Sequence, residues 1–122
     1  MKRSEIGMKV SDWKGKQDFL EIAKSDTPKL VLFAANWCGY CSRFLEVARS
    51  HHSLDNLELF LVDTDDPDES LWDEYKIRLV PTLVIIEAGK ELFRREALPG
   101  PGLREPQLVE ALSFLQARAR SA

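Results

Sequence analysis

The sequence contains little of what transition-metal sites are made from, since its 122 residues include only two cysteines and two histidines. A structural zinc site takes about four such ligands. The histidines, His51 and His52, are adjacent and begin ten residues after Cys41. Along a helix this separation is ~15 Å, at ~1.5 Å of rise per residue. We therefore expect no metal site within one chain, while a metal shared between two chains stays open.

Further absences narrow the class of protein. No apolar run approaches the ~20 residues that a membrane-spanning helix needs. The net charge is −3 and the basic residues are scattered, so no basic patch for nucleic acid is expected. Residues 1–8 carry two basic side chains without the apolar segment of a secretory signal. We expect a cytoplasmic protein in a reducing compartment, although a signal sequence already removed would leave the same pattern.

Both cysteines, Cys38 and Cys41, lie between a predicted strand and a predicted helix. The apolar residues 30–35 predict a buried strand, and the amphipathic residues 44–48 predict a helix. A Cys-x-x-Cys at such a junction is typical of a redox-active dithiol, whereas a structural disulfide closing so short a loop would stabilise little. The helix N-terminus favours a thiolate, and Cys41 follows about one turn later, within disulfide reach. We predict a reversible redox pair with Cys38 exposed and Cys41 shielded.

Periodicity and turn residues predict four helices, four strands and one domain over residues 11–122. The first helix covers residues 16–24, with Ser11 or Asp12 as its cap. The acidic residues 63–69 indicate the start of the third helix, with Asp66 as its cap. The strands include residues 30–35, 57–62, 83–86 and 92–93, the last two joined by a hairpin turn at residues 88–90; residues 1–10 form an arm or an extra strand. This order predicts an α/β fold with a central mixed sheet and helices on both faces.

Four motifs stand among these elements: Trp37-Cys38-Gly39-Tyr40-Cys41, residues 62–67, residues 75–83 with Val80-Pro81-Thr82, and Gly102-Leu103. Together with the order of elements, they resemble the thioredoxin family over about residues 11–120. The resemblance implies the thioredoxin fold, a cis Val80–Pro81 bond that faces the cysteines, and a redox disulfide between Cys38 and Cys41.

The resemblance also implies a substrate-binding surface around the cysteines. Its residues would be Trp37, Gly39, Tyr40, Val80, Pro81 and Gly102. Val80 would pair through its backbone with an extended substrate, while Trp37 and Tyr40 would offer flat apolar surface. From the residues alone, a Pro81 that merely starts an edge strand and two packed aromatic rings remain alternatives.

The sequence departs from the family's pattern at the positions beside the cysteines. Many thioredoxins carry a buried aspartate where this chain has Leu32, and a lysine whose nearest counterpart here is Phe60. Apolar packing in place of a buried ion pair can be neutral or stabilising, but it removes the candidate base for Cys41. The dipeptide Gly39-Tyr40 replaces the usual Gly-Pro and is similar to that of bacterial disulfide isomerases. The loop at residues 99–102 is longer than in short thioredoxins.

The expected activity is that of an enzyme, a thiol–disulfide oxidoreductase that reduces protein disulfides without a metal or organic cofactor. Cys38 would attack the substrate disulfide and Cys41 would resolve the mixed disulfide. The implied partners are protein disulfides and a thiol or flavin-type reductase, with the chain as a monomer serving redox homeostasis and electron transport. Two alternatives stay open: a disulfide isomerase or oxidase, and a redox-sensing binding module without turnover.

Overall fold

A computed structural model of the chain describes residues 8–51, 57–64 and 71–121. In these ranges the helices are α1 (Lys16–Ala23), α2 (Gly39–Ser50), α3 (Leu71–Glu74) and α4 (Glu105–Ser121). The strands are β1 (Lys9–Val10), β2 (Lys29–Ala34), β3 (Glu58–Asp63), β4 (Thr82–Glu87) and β5 (Lys90–Glu96). Within the same ranges, no helix combines the length and the apolar composition that crossing a membrane would require.

The five strands form one mixed sheet in the order β1-β3-β2-β4-β5. Strand β3 pairs in parallel with both β1 and β2, while β4 runs antiparallel to β2 and to β5. Ala88 and Gly89 make the two-residue turn between β4 and β5, and both have positive φ, as a type I′ hairpin turn requires. The mixed sheet with a β4–β5 hairpin is the predicted one, and the fold class is confirmed.

Helices cover the sheet on both faces because side chains of successive strand residues point to opposite sides. On one face, α2 and α4 pack on the apolar side chains of the central strands in a cluster that includes both cysteines. We call this the cysteine-side core; its β2 members are Leu30, Leu32 and Ala34. On the other face, Phe19 of α1 and Leu71 of α3 pack on Val31 and Phe33 in a second core.

The structure corrects the predicted cap of α1 and decides between the two alternatives for the N-terminal residues. Ser11 and Asp12 do not cap α1, because α1 begins at Lys16 and its N-cap residue is Gly15. Ser11 instead extends the β1–β3 pairing: its N–H donates to the Leu59 carbonyl and its hydroxyl accepts the Leu61 N–H. Residues 9 and 10 form a regular edge strand, the second of the two alternatives we gave.

Some predictions fall outside the described residues. They concern residues 1–7 of the predicted arm, His52, and the part of the acidic run that contains Asp66, the predicted cap of the third helix. The boundary at residue 11 also stays a prediction.

Candidate active site

The sheet brings two distant segments of the chain to the same edge. Strand β2 ends at Ala34 and the antiparallel β4 begins at Thr82, and Phe33 is paired with Thr82. The loop after β2 carries Cys38, and the segment before β4 carries Val80 and Pro81. The register therefore places these residues side by side, although 42 positions separate Cys38 from Val80.

Cys38 is the N-cap residue of α2, and its side chain makes the cap. The Cys38 Sγ accepts the backbone N–H of Cys41 at 3.2 Å, so a helix-terminal donor points at the sulfur. The Cys38 thiol in turn donates to the Val80 carbonyl oxygen at 3.6 Å. The sulfur of Cys38 therefore lies where the N-terminal N–H groups of α2 point, which is the place of a helix N-cap acceptor.

Both cysteines are buried, which corrects one prediction. We predicted an exposed Cys38, but only 6% of this residue is accessible, compared with 1% of Cys41. The reason is the position of the sulfur between the first turn of α2 and the Val80 carbonyl. The order of accessibility is as predicted, since Cys38 keeps a small opening to solvent and Cys41 lies deeper in the cysteine-side core.

The segment before β4 has the geometry that the family resemblance implied. The Val80–Pro81 peptide bond is cis, Pro81 is buried and Val80 is half-buried. The Pro81 carbonyl accepts the N–H of Ala97, which follows β5, so this carbonyl is already hydrogen-bonded within the chain. The hydroxyl of Thr82 donates to the Leu79 carbonyl at 2.6 Å and closes the turn.

Large apolar side chains are exposed around this edge. Trp37 is 68% exposed, and Tyr40 is partly exposed with the guanidinium carbon of Arg43 5.4 Å from its ring centre. The space around the Gly39 Cα is open, so no neighbour requires a glycine there. Sequence reasoning missed Leu79 and Leu98, which are also exposed; a leucine directly before Val80 and another at the start of the Pro-Gly loop were the available signals.

Gly102 makes its contact with Tyr40. A Cβ at position 102 would lie 2.5 Å from Tyr40 Cδ1, so the ring occupies the space that a side chain would fill. The Gly102 N–H donates to the Leu98 carbonyl at 2.7 Å, and its carbonyl accepts the Leu98 N–H at 3.2 Å. Both backbone groups are bonded inside the loop, and the predicted contact of Gly102 with substrate stays a prediction. The geometry shows a contact between Gly102 and the Tyr40 ring.

The structure changes the assignment beside Leu32. Leu32 is fully buried in the cysteine-side core, but Phe60 packs on the opposite face of the sheet. Phe60 therefore does not lie beside Leu32, because adjacent residues of a strand point to opposite faces. The β3 residues on the Leu32 face are Leu59 and Leu61, both buried. The surroundings of Leu32 are thus apolar, as predicted, but through other residues of β3.

Comparisons with known proteins agree with this geometry. The family model described as Thioredoxin matches residues 12–111. The chain is 35% identical over 89 residues to a thioredoxin of Geodia cydonium, which covers 68% of this chain and 80% of that protein. It is 35% identical over 94 residues to "Thioredoxin Y, chloroplastic" of Oryza sativa subsp. japonica, covering 75% of this chain but about half, 55%, of that protein. Thioredoxin F from spinach chloroplast shares the fold, with a TM-score of 0.67 and 24% identity over 93% of this chain and 98% of that one.

Proposed function

The chain belongs to the thioredoxin family of thiol–disulfide oxidoreductases, and from this premise we propose that it reduces protein disulfides through Cys38 and Cys41. One observation carries the assignment of roles: the Cys38 sulfur accepts a helix-terminal N–H, and Cys38 is 6% exposed whereas Cys41 is 1% exposed. A nucleophile needs a stabilised thiolate within reach of substrate, and a resolving thiol needs reach only to the first sulfur.

The reaction has two exchange steps. The Cys38 thiolate attacks one sulfur of the substrate disulfide, the substrate S–S bond breaks, and the other substrate sulfur leaves as a thiolate. The Cys41 thiolate then attacks the Cys38 sulfur, which forms the Cys38–Cys41 disulfide and releases the second substrate thiolate. Two electrons have moved to the substrate, and an external thiol or flavin-type reductase must return them.

Val80 links proton loss at Cys38 to substrate binding. In the dithiol form the Val80 carbonyl accepts the Cys38 S–H. Once the thiolate forms, this carbonyl has lost its donor and is free to accept an N–H from an extended substrate. Such backbone pairing leaves substrate choice to the exposed side chains nearby, namely Trp37 and Tyr40.

The apolar surroundings and the Gly39-Tyr40 dipeptide support a less negative reduction potential for the Cys38–Cys41 pair than that of thioredoxin, which is roughly −270 mV. A shift of ~30 mV takes only ~1.4 kcal/mol between the dithiol and disulfide forms. These features also favour the second candidate function, disulfide isomerisation or oxidation with the same residues. We propose that the reductase acts in the cytoplasm, because a pair that cycles needs a reducing environment. We also propose that it is a monomer.

Turnover of insulin disulfides tests the proposal, with dithiothreitol as the electron source. We expect the wild type to reduce insulin and Cys38→Ser to be inactive. Reduced Cys41→Ser mixed with insulin in the absence of dithiothreitol should accumulate a mixed disulfide with the substrate, detectable by mass spectrometry. Limited alkylation of the reduced wild type should label Cys38 first.

Three results would contradict parts of this proposal. Faster labelling of Cys41 would reverse the two roles. Refolding of scrambled ribonuclease without net insulin reduction would favour the isomerase. A disulfide that forms and breaks without any turnover would favour a redox-sensing binding module.

A further inference from the structure

The segment that presents Val80 to Cys38 has little regular structure of its own. Residues 75–81 connect α3 to β4, and we call them the Val80 segment. Lys76 in this segment has a positive φ of 51°, an uncommon backbone conformation for a residue with a side chain. Ile77 is buried, but Arg78 and Leu79 are exposed. The hydrogen bonds of Thr82 with Leu79 and of Ala97 with Pro81 hold the end of the segment at β4, so its order also depends on what holds its start.

Arg94 of β5 holds that start. Its Nη2 donates to the Tyr75 carbonyl at 2.6 Å, and its Nη1 donates to the Lys76 carbonyl at 3.3 Å. These carbonyls follow the last turn of α3, where helix carbonyls have no partner within the helix. One guanidinium thus binds two consecutive carbonyls at the point where the chain turns away from α3.

The guanidinium is itself fixed by two carboxylates. Glu91 accepts from Arg94 Nε at 3.0 Å and from Nη2 at 2.7 Å, and Glu96 accepts from Nη1 at 3.3 Å. Glu96 also pairs with Arg78 of the Val80 segment at 3.0 Å. The hydrogen bond to Glu91 raises the pKa of Arg94 further above its high ordinary value, ahead of the smaller contribution from Glu96. The Arg94 guanidinium is therefore charged and held in one orientation. A lysine ammonium could not replace it, because it lacks the planar arrangement of several N–H donors.

We propose that Arg94 is a positioning residue for disulfide exchange, which fixes the Val80 segment so that the Val80 backbone meets both Cys38 and an extended substrate. The inference rests on the proposed function, since it assigns Arg94 a part in the same reaction. Arg94 touches neither sulfur nor substrate and acts only through the segment. Protein substrates, which pair with Val80, should depend on it, whereas a small aromatic disulfide that needs only the Cys38 thiolate should not.

Arg94→Met and Arg95→Met provide the test and its matched control. Arg95 is the next residue of β5, but its guanidinium donates to Glu110 of α4 and to the Arg94 carbonyl, rather than to the carbonyls of Tyr75 and Lys76. We expect Arg94→Met to lower kcat/KM for insulin roughly ten-fold, mostly through KM, by loss of charge-assisted hydrogen bonds that order the segment. Its rate with 5,5′-dithiobis(2-nitrobenzoic acid) should stay within about two-fold of wild type, and Arg95→Met should leave both rates near wild type.

Amide hydrogen exchange reports on the segment without any turnover. We expect faster exchange at Ile77 to Val80 in Arg94→Met, but not in Arg95→Met, relative to wild type. Unchanged exchange in Arg94→Met overturns the inference, as does an equal loss of rate with insulin and with the small disulfide. A wild type that fails to reduce insulin would overturn the proposed function instead, and the exchange experiment would still decide whether Arg94 orders the segment.

Discussion

At the scale of single residues, the lack of a side chain at Gly102 decides where the Tyr40 ring lies. The ring packs on the Gly102 backbone, with the Arg43 guanidinium near its centre. Tyr40 belongs to the motif between the cysteines, and Gly102 belongs to the loop before α4. The contact therefore ties the position of that loop to the start of α2, and with it the exposed Leu98 to the neighbourhood of Cys38.

Gly102→Ala and Tyr40→Ala should be strongly coupled in stability. The new methyl group would lie too close to the ring, so we expect a coupling free energy of about 1–2 kcal/mol in a double-mutant cycle measured by urea unfolding. Gly100→Ala is the matched control, because Gly100 also has a positive φ but open space around its Cα. It should lose stability through backbone strain alone, with no coupling to Tyr40. Additive effects of Gly102→Ala and Tyr40→Ala would remove the positioning role of Gly102.

At the scale of elements, α2 begins on a sulfur rather than on a hydroxyl or a carboxylate. Helix N-caps are most often serine, threonine, asparagine or aspartate, whose oxygen accepts an N–H of the first turn. In this chain the Cys38 Sγ takes that place. The same hydrogen bond thus caps α2 and directs an N–H donor at the sulfur of the proposed nucleophile.

Substitutions of Cys38 should show its contribution as a cap. We expect the reduced Cys38→Ser protein to be more stable than Cys38→Ala by about 1 kcal/mol, since serine keeps an acceptor for the Cys41 N–H. At Cys41, a buried position inside the helix, serine should give no such advantage over alanine. Equal stability of Cys38→Ser and Cys38→Ala in chemical unfolding would mean that the cap contributes nothing.

Strand β2 places an apolar residue, Leu32, where a carboxylate would serve the resolving thiol. Leu32→Asp should speed release of a small thiol from a Cys38 mixed disulfide, increasingly so as the pH rises and the buried carboxyl ionises. It should also lower the free energy of unfolding by about 3 kcal/mol or more, because an acid replaces a fully buried leucine.

Leu32→Asn controls for the polarity and shape of the new side chain without a base. It should be destabilised as well, but its resolution rate should stay at the wild-type value. Equal rates for Leu32→Asp and Leu32→Asn would show that a base at this position has no effect on Cys41.

At the scale of the whole molecule, the sheet separates a core that contains the cysteines from a core that does not. Neighbouring residues of β4, Ile85 and Ile86, are both buried but belong to opposite cores. Both lie toward the end of β4 remote from Pro81 and the cysteines. Substitutions at these two residues therefore test how tightly each core is packed without changing the active site.

Ile85→Val and Ile86→Val should each lower the free energy of unfolding by about 1 kcal/mol, since each removes one buried methylene-sized group. Insulin reduction should be unchanged in both. Val109→Ala, at an exposed position of α4, is the control and should cost less than about 0.5 kcal/mol. A negligible effect of Ile86→Val alone would indicate that the face under α1 and α3 is loosely packed.

The sequence by itself determined which elements form and where the dithiol stands among them. The spacing of apolar residues is a local property, so β2, α2, β3 and the β4–β5 hairpin were predictable from their own residues. The Cys-x-x-Cys at the β2–α2 junction was predictable in the same way. The resemblance carried by a few motifs then supplied the fold and the partner segment at Val80–Pro81.

The tertiary structure alone decided the contacts between residues that are distant in sequence. Whether Leu59 or Phe60 shares a face with Leu32 depends on the register of β3 against β2, and an error of one residue reverses the face. The burial of Cys38 depends on a carbonyl 42 residues away, and the contact of Arg94 with the Tyr75 carbonyl spans 19 residues. No local pattern encodes such distances, because they arise only when the strands pair and bring their ends to one edge of the sheet.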